Sequence, residues 1–578
     1  MATDVPLLAT WPSAHGTTRE QVPRNNGPHW FAIRNGSAQV NDVLTWDATN
    51  GDTVNVVSGS SSKVRGLVIN DLALRAQWDA EFTAILANDG VGISDVMLIA
   101  HSGFNEIDVF RAQSWDNATG TLMLTSDLSG ATTAYNNFYP GYFECAFIGA
   151  PSWINAPGQY TPDFSNNQVH YRPVSGLSPQ GVGLQAAQRL IRTSGGGIGK
   201  MTLQHMILTG AGSLSSDSAE GATGKIADVH NCTCHSFGSG LSNIRNLTDS
   251  TFDYWYSVAA GCNTTGTEDV FLERNRFGPN CEQRSCVTVY GPDIGEFDDY
   301  LPMGHFYARD NYMSIPFSTH GQGMSVYKDS WQKATIEHNI FHNCARAISY
   351  QHQNGSFGYR GNMGTYRFQN NLVCITDPNF VPPSGQTGYA FNNTVDYFLY
   401  TDNPDNDPLQ EVYILSNSLL YTQEVYDSVG SLGKPLQMSI ENHRLGPHIA
   451  NNVCVGMEGA SDFRKGPMLE LQQRANNLQT LSAGLYPTAW ASNDLPSLPD
   501  DTVFSHLAGP DSFEMAGIYA TGATDGGPIG IRWASIPSIT ELKNGLSPTW
   551  YLDHPAVAFP EPTAGQYVDT PLGDNRTP

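Results

Sequence analysis

Six times between Val270 and Val455 the chain repeats one phrase: alternating apolar residues, an Asn, then more apolar residues. The copies are VFLERNRF, FYARDNYM, TIEHNIF, YRFQNNLV, VYILSNSLL and HIANNVCV. Aligned on Asn275, Asn311, Asn339, Asn370, Asn417 and Asn451, they lie 28 to 47 residues apart. A recurring unit of this length is the mark of a solenoid, in which each repeat buries its apolar face only against its neighbours. Each copy alternates as a strand does, and the Asn falls where the strand must turn. Asn tolerates the left-handed backbone region, and its amide can bond the same position in the next coil. The expectation is an all-β chain built on a right-handed parallel β-helix, whose long flat outer faces suit a chain-like ligand.

Composition narrows the class of ligand. Only 15% of the 578 residues are charged, with 57 Gly and 34 Pro, as in a turn-rich β protein. The formal net charge of −25 argues against nucleic acid and against an anionic membrane surface, because like charges repel. A neutral or cation-bridged ligand fits better. No apolar run approaches the roughly 18 residues of a membrane span, and MATDVPLLATWPSAHG lacks a basic segment followed by an apolar one. For a native start this suits a protein released by lysis, as virion proteins are; a removed signal peptide would give the same text and a secreted protein.

Along the chain, residues 1–30 read as a polar N-terminal arm and 31–74 as the first β-helix coils. Between 75 and 175 the Asn phrase is missing. SDVMLIAHSG, EIDVFRAQSWD and GTLMLTSD are joined by turn signals at hairpin spacing, which predicts an inserted antiparallel β-sandwich. The main β-helix is expected over 176–460, resuming with KMTLQHMILTG and KIADVHNCTCHSFG, and LQAAQRLIR (184–192) is the clearest helical stretch. Residues 461–578 read as a cap or oligomerisation region, with a strand at GGPIGIRWASI and a short helix at SITELKNG stopped by its Gly.

Nine cysteines without a CxxC pair suit small apolar fillers better than a disulfide framework. Cys344, Cys374 and Cys454 each follow an Asn phrase, where a solenoid stacks side chains internally. His230, Cys232, Cys234 and His235 in HNCTCH have zinc-ligand chemistry, but strand alternation sends His235 to the face opposite the other three.

Pro151–Pro173, PSWINAPGQYTPDFSNNQVHYRP, resembles a phrase of β-helix glycoside hydrolases of the xylan- and fucoside-cleaving type, in which it closes an inserted β-sandwich. Pro157, Gly158, Asp163, Tyr171 and Pro173 match it, whereas Gln159 and Tyr160 replace the usual Glu-Trp. The likeness extends over roughly 75–455, and the chain is also similar to phage tailspike proteins. In the hydrolases two aspartates, in phrases near two of the coils, form the catalytic pair. RSCVTVYGPDIG (284–295) and GMSVYKDS (323–330) correspond to those phrases here, so the resemblance puts Ser285 and Tyr327-Lys328 where the acids stand. It implies a retained scaffold with the inherited carboxylates replaced. STHGQGMS (318–325) and FDD (297–299) resemble short motifs of pectin-cleaving β-helix hydrolases, whose Asn-Thr-Asp and Arg-Ile-Lys signatures are missing from the corresponding places.

Glycoside hydrolysis needs two carboxyl groups about 5 Å apart for retention or about 6.5–9.5 Å for inversion. Relocated acids are to be sought at Asp298, Asp299 and Asp329. The cluster GPDIGEFDDYL also reads as a solvated loop, or as a calcium site through Asp293 and Glu296. No cofactor is required by this chemistry, and calcium is the one candidate ion. A sugar needs flat apolar platforms beside directed polar groups. Tyr254, Trp255, Tyr256, Tyr290, Tyr327, His320 and His352 are the candidates; the alternative for such aromatics is the core. The leading functional expectation is a virion-associated, tailspike-like homotrimer that binds host surface glycans, alongside other virion proteins, with weak or no hydrolysis. An active glycoside hydrolase or depolymerase with relocated carboxylates, and a purely structural virion component, are the alternatives.

Overall fold

The computed structural model describes residues 9–12, 54–58, 63–70, 72–103, 106–132, 144–153, 160–163, 168–171, 182–185, 187–192, 201–216, 227–255, 258–263, 269–278, 285–290, 303–314, 322–327, 331–344, 346–353, 365–378, 395–400, 411–429, 436–440, 448–455, 462–464, 473–475, 478–479, 504–547 and 549–555. The chain divides into two compact units, essentially residues 1–190 and 191–578, with short crossings near 209–213 and 236–238.

The second unit is the solenoid. Every coil contributes a strand to each of up to three parallel sheets. Among the described residues sheet I has ten strands, from Met201–Gln204 to Gln473–Ala475; sheet II has eleven, from Ala187–Arg192 to Leu478–Gln479; sheet III has seven, from Ala260–Asn263 to Asp462–Arg464. All six Asn phrases span the turn from sheet I to sheet II, for example Met303–Arg309 into Tyr312–Met313 and Thr365–Gln369 into Leu372–Ile375. Pairing is in register from coil to coil: Ala308 on Ile336 on Phe368 on Ile414 on Ile449 forms one inward column, buried throughout. The rungs continue past 460, to Gln479.

The turn assigns two tasks to two adjacent residues. The left-handed residue is Arg274, Asp310, His338, Asn370, Ser416 or Asn451, each with φ between 53 and 60. The residue after it carries the ladder: Asn275, Asn311, Asn339, Asn371, Asn417 and Asn452. The Nδ2 of Asn339 donates to Asn371 Oδ1 at 3.0 Å and to Ala308 O at 3.0 Å, while its backbone N donates to the same Asn371 oxygen at 3.1 Å. Equivalent bonds link 275 to 311, 311 to 339, 371 to 417 and 417 to 452. Asn370 and Asn451 are therefore not ladder residues; their neighbours are.

The first unit departs from expectation. Val54–Ser58 and Lys63–Ile69, expected as β-helix coils within 31–74, pair antiparallel in a six-stranded sheet whose other strands are Thr121–Thr132, Glu106–Asp116, Met97–Gly103 and Glu144–Ile148. The antiparallel strands of the expected sandwich are present, but the described cover on them is a helix, Leu72–Asp89. Trp78, Phe82 and Ile85, at helical spacing, are its buried positions, and Trp78 and Phe82 close on Trp115 with ring centroids 5.8 and 5.6 Å away. The resembling phrase forms a hairpin, Tyr160–Asp163 on Gln168–Tyr171. LQAAQRLIR is not helical: Val182–Gln185 and Ala187–Arg192 are strands, because sheet pairing overrides its helix propensity. Of the arm, Ala9–Pro12 is a strand antiparallel to Val182–Gln185.

Residues 504–555 lie along the side of the solenoid rather than over its end. Phe513, Met515, Tyr519, Ile529, Ile531, Trp533, Leu542, Trp550 and Tyr551 form one core with the outer face of sheet II: Tyr312, Ile340, Leu372, Cys374, Leu420, Val453 and Val455. The helix at SITELKNG is present as Ile539–Asn544, with Ser538 and Glu541 closing a capping box and Gly545 at φ 83 ending it. GGPIGIRWASI is not a strand; its N–H groups find partners on the solenoid's turns instead. Ile531 N donates to Ser418 Oγ and Arg532 N to Asn370 Oδ1.

Candidate functional site

Two sets of polar side chains line up along the solenoid; in the first, on sheet III, Thr288, Ser325 and Ser349 are buried. On sheet III, strand register places Gly261, Thr288, Ser325, Ser349, Asp396, Gln437 and Asp462 in one column. Two residues further along the strands a second column holds Asn263, Tyr290, Tyr327, Gln351, Phe398, Ser439 and Arg464. Thus Tyr290 and Tyr327 are direct partners on adjacent rungs, roughly 4.8 Å apart. His352 follows Gln351 and pairs with Leu399, at a register position next to theirs.

Ser285 is buried. Its Oγ lies 2.5 Å from Ser325 Oγ, and both hydroxyls meet the side-chain oxygen of Gln322. Ser285 therefore meets the coil of Tyr327 at Ser325, two positions before Tyr327 and about 6.6 Å along the strand at about 3.3 Å per residue, while the residue in register with Tyr327 is Tyr290. At the first of the two positions that the hydrolase template assigns to acids stands a buried serine hydroxyl, already bonded to the next coil.

The second polar set lies at the corner between sheets I and II, which the sequence candidates did not include. Glu273, Arg309, Glu337 and Gln369 share one register column, and Asp249, Arg274, Asp310 and His338 occupy successive turns beside it. Signs alternate both along and across the rungs. Arg274 grips Asp249 through Nε at 2.6 Å and Nη2 at 3.0 Å and reaches Glu273 at 3.3 Å; Arg309 reaches Glu273 at 2.8 Å; His338 Nδ1 lies 2.5 Å from Asp310 Oδ1. The side-chain bond to Asp249 is the main reason the Arg274 guanidinium is held above its usual pKa. Glu273 and Glu337 are two rungs apart, about 9.6 Å. Arg309 fills the rung between them, and Gln369 Nε2 donates to Glu337 at 2.9 Å. The pair is thus part of a charge lattice, with a guanidinium on the rung between the two carboxylates.

Of the sequence candidates, Trp255 is corrected: it is fully buried, and a ring without exposed surface offers no platform. Tyr254, Tyr290, Tyr327 and His352 stand in strands described by their backbone alone. Tyr256, Asp293, Glu296, Asp298, Asp299, His320 and Asp329 lie outside the described residues, and with them the calcium expectation. Among the described residues no group of His, Cys, Asp and Glu could hold a metal ion. Cys232 and Cys234 are buried thiols, while His230 Nδ1 lies 2.8 Å from Thr248 Oγ1. Cys344, Cys374 and Cys454 are buried thiols as well. Cys374, however, sits on the outer face of sheet II under the C-terminal segment rather than in an internal stack. No helix among the described residues is long and apolar enough to cross a membrane.

No protein family model matches the chain, and no curated protein matches it. Matching solved structures include one titled a glycoside hydrolase, at 12% identity and a TM-score of 0.35, over 79% of this chain and 77% of that one. Another is the crystal structure of the tailspike of Pseudomonas phage phi297, at 11% identity and a TM-score of 0.18; the match covers 76% of this chain and 65%, just under two thirds, of the tailspike. Likenesses this distant carry no argument. The parallel β-helix rests on the strand register and the Asn ladder described above.

Proposed function

We propose that the chain is a glycan-binding β-helix protein of a virus particle, tailspike-like in role, with sheet III as the binding face and with weak or no hydrolysis. The observation that carries this reading is the paired column of sheet III. In its second column Asn263, Tyr290, Tyr327 and Gln351 follow one another over successive described rungs with no acid among them, whereas the hydroxyls of the first, Thr288, Ser325 and Ser349, are buried. Hydroxyls and amides both donate and accept, which matches a polyhydroxylated chain, and rings supply the apolar platform. The net charge of −25 favours a neutral glycan over an acidic one. A homotrimer fits this role. Because the chain's own C-terminal segment covers sheet II, such a trimer would meet through other surfaces.

The test is binding of the purified protein to a panel of cell-surface polysaccharides, with released reducing ends measured in parallel. Tyr290→Ala and Tyr327→Ala should each weaken binding by about 1–3 kcal/mol, the usual worth of one ring platform, with no reducing ends released by any form. Binding that survives both changes would overturn the assignment of sheet III.

A second reading has one observation of its own. Asp396 and Asp462 share the sheet III column with Gln437 between them, a two-rung separation of about 9.6 Å, close to the inverting limit. If the chain is a depolymerase, Asp396→Asn should abolish oligosaccharide release while leaving polysaccharide binding intact.

A further inference from the structure

The C-terminal segment is anchored to the solenoid at one set of positions. Thr524 N donates to Asn451 Oδ1 at 3.0 Å and Gly530 N to Asn451 O at 2.8 Å. Ile531 N meets Ser418 Oγ at 3.0 Å, and Arg532 N and Trp533 Nε1 meet Asn370 at 2.7 and 2.9 Å. Tyr551 Oη donates to Asn311 O at 2.9 Å. These partners are turn residues and the rims of rungs. The rungs themselves close through the Asn ladder and the sheet pairing, to which no described residue of 504–555 contributes.

His338 is where the two systems meet. It is buried in the left-handed turn position, and its Nδ1 is bound to Asp310, itself 3.8 Å from Arg309 and adjacent to the Arg274 charge. Its ring packs on Trp533, with centroids 4.1 Å apart, and meets Tyr551 edge-on at 5.9 Å. Glu337 precedes it in the chain. One imidazole thus joins the charge lattice of the solenoid to the two aromatic anchors of the segment.

We propose that residues 504–555 form a releasable strap, latched by His338, that undocks as one piece and bares the outer face of sheet II while the rungs stay closed. The sheet carries its own reporter. Cys374 lies on the outer face under the strap, whereas Cys454 is flanked in its strand by the outward-facing Val453 and Val455 and so points into the coil, as does the fully buried Cys262 of sheet III. Release of the strap exposes the first thiol and neither of the others.

The experiment is alkylation of the full chain with a maleimide in urea below the unfolding midpoint, with each cysteine followed by peptide mass spectrometry. In the wild type Cys374 should react ahead of Cys454 and Cys262. His338→Ala should speed Cys374 labelling at least about tenfold, the behaviour of a unit that opens below the global free energy, and leave the other two unchanged. Gly530→Ala is the second variant: Gly530 has φ +84, and a Cβ there would strike Ser418 Oγ, so the strap is displaced without touching the latch. Labelling of Cys374 and Cys454 at one common rate in the wild type would overturn the proposal, even if both variants fail to fold. An unchanged Cys374 rate in a folded His338→Ala would overturn the role of the latch.

Discussion

At the scale of the residue, the turn from sheet I to sheet II separates two properties that Asn combines. The left-handed position accepts Arg274, Asp310, His338 and Ser416 as well as Asn, while the ladder position from 275 to 452 is Asn in every coil. Only a side chain with both an acceptor and donors can take the N–H of one coil and give to another. Asn371→Ala should therefore cost about 2–4 kcal/mol in chemical denaturation, since it strands the backbone N of Asn339, takes one acceptor from Asn339 Nδ2 and removes a donor to the carbonyl of Ile336. Asn370→Gly keeps the left-handed backbone and the ladder and loses the acceptor for Arg532 N, so about 1 kcal/mol is expected. This distinction was half legible. In NRF, NYM, NIF and NSLL the ladder Asn directly precedes the second strand, and that rule selects Asn371 and Asn452 in the doubled copies. Alignment on the first Asn of each doubled pair shifts the register by one.

At the scale of the element, the strands were legible because alternation is local, and the capped helix Ile539–Asn544 because Ser538, Glu541 and Gly545 are local signals too. What failed depended on partners distant in sequence. LQAAQRLIR has helix-forming residues yet is drawn into sheet pairing. GPIGIRW has strand-like residues, yet its donors are claimed by Asn370, Ser418 and Asn451. The helix Leu72–Asp89 shows Trp78, Phe82 and Ile85 at 3.6-residue spacing, but an assumed boundary at residue 75 cut across it. Trp78→Ala should cost about 3–5 kcal/mol, by emptying the space between the helix and Trp115. Because the chain has two compact units, that loss should appear in one transition of a calorimetric scan and leave the solenoid's transition in place.

At the scale of the whole molecule, the solenoid buries groups that ionise only at high pH. Burial pushes the Cys262 thiol up to about 12, and the thiols of Cys234, Cys286 and Cys374 and the phenol of Tyr551 are driven upward by the same desolvation. A group whose folded pKa is raised contributes stability that is complete below its unfolded value and is lost as pH climbs toward the folded one. The window for Cys262 runs from about 9 to about 12. The contribution of these groups should be constant below about pH 9 and then fall by up to about 1.4 kcal/mol per unit for each of them, measured as the urea midpoint against pH. A midpoint constant to pH 11 would contradict the buried placement of these thiols. Fold class was readable from one repeated phrase because stacked coils impose one pattern many times. The site was not, because the columns of sheet III join residues 261, 288, 325, 349 and 396, which only the register brings together.

A glycan bound along sheet III would shield the backbone of its strands. Hydrogen exchange of the full chain with and without a bound polysaccharide reads that face directly. Protection is predicted over Val287–Tyr290, Gln322–Tyr327 and Arg346–Gln353, with the strands of sheet I unchanged. Protection confined to sheet I, or none on sheet III in a complex shown to have formed, would contradict it.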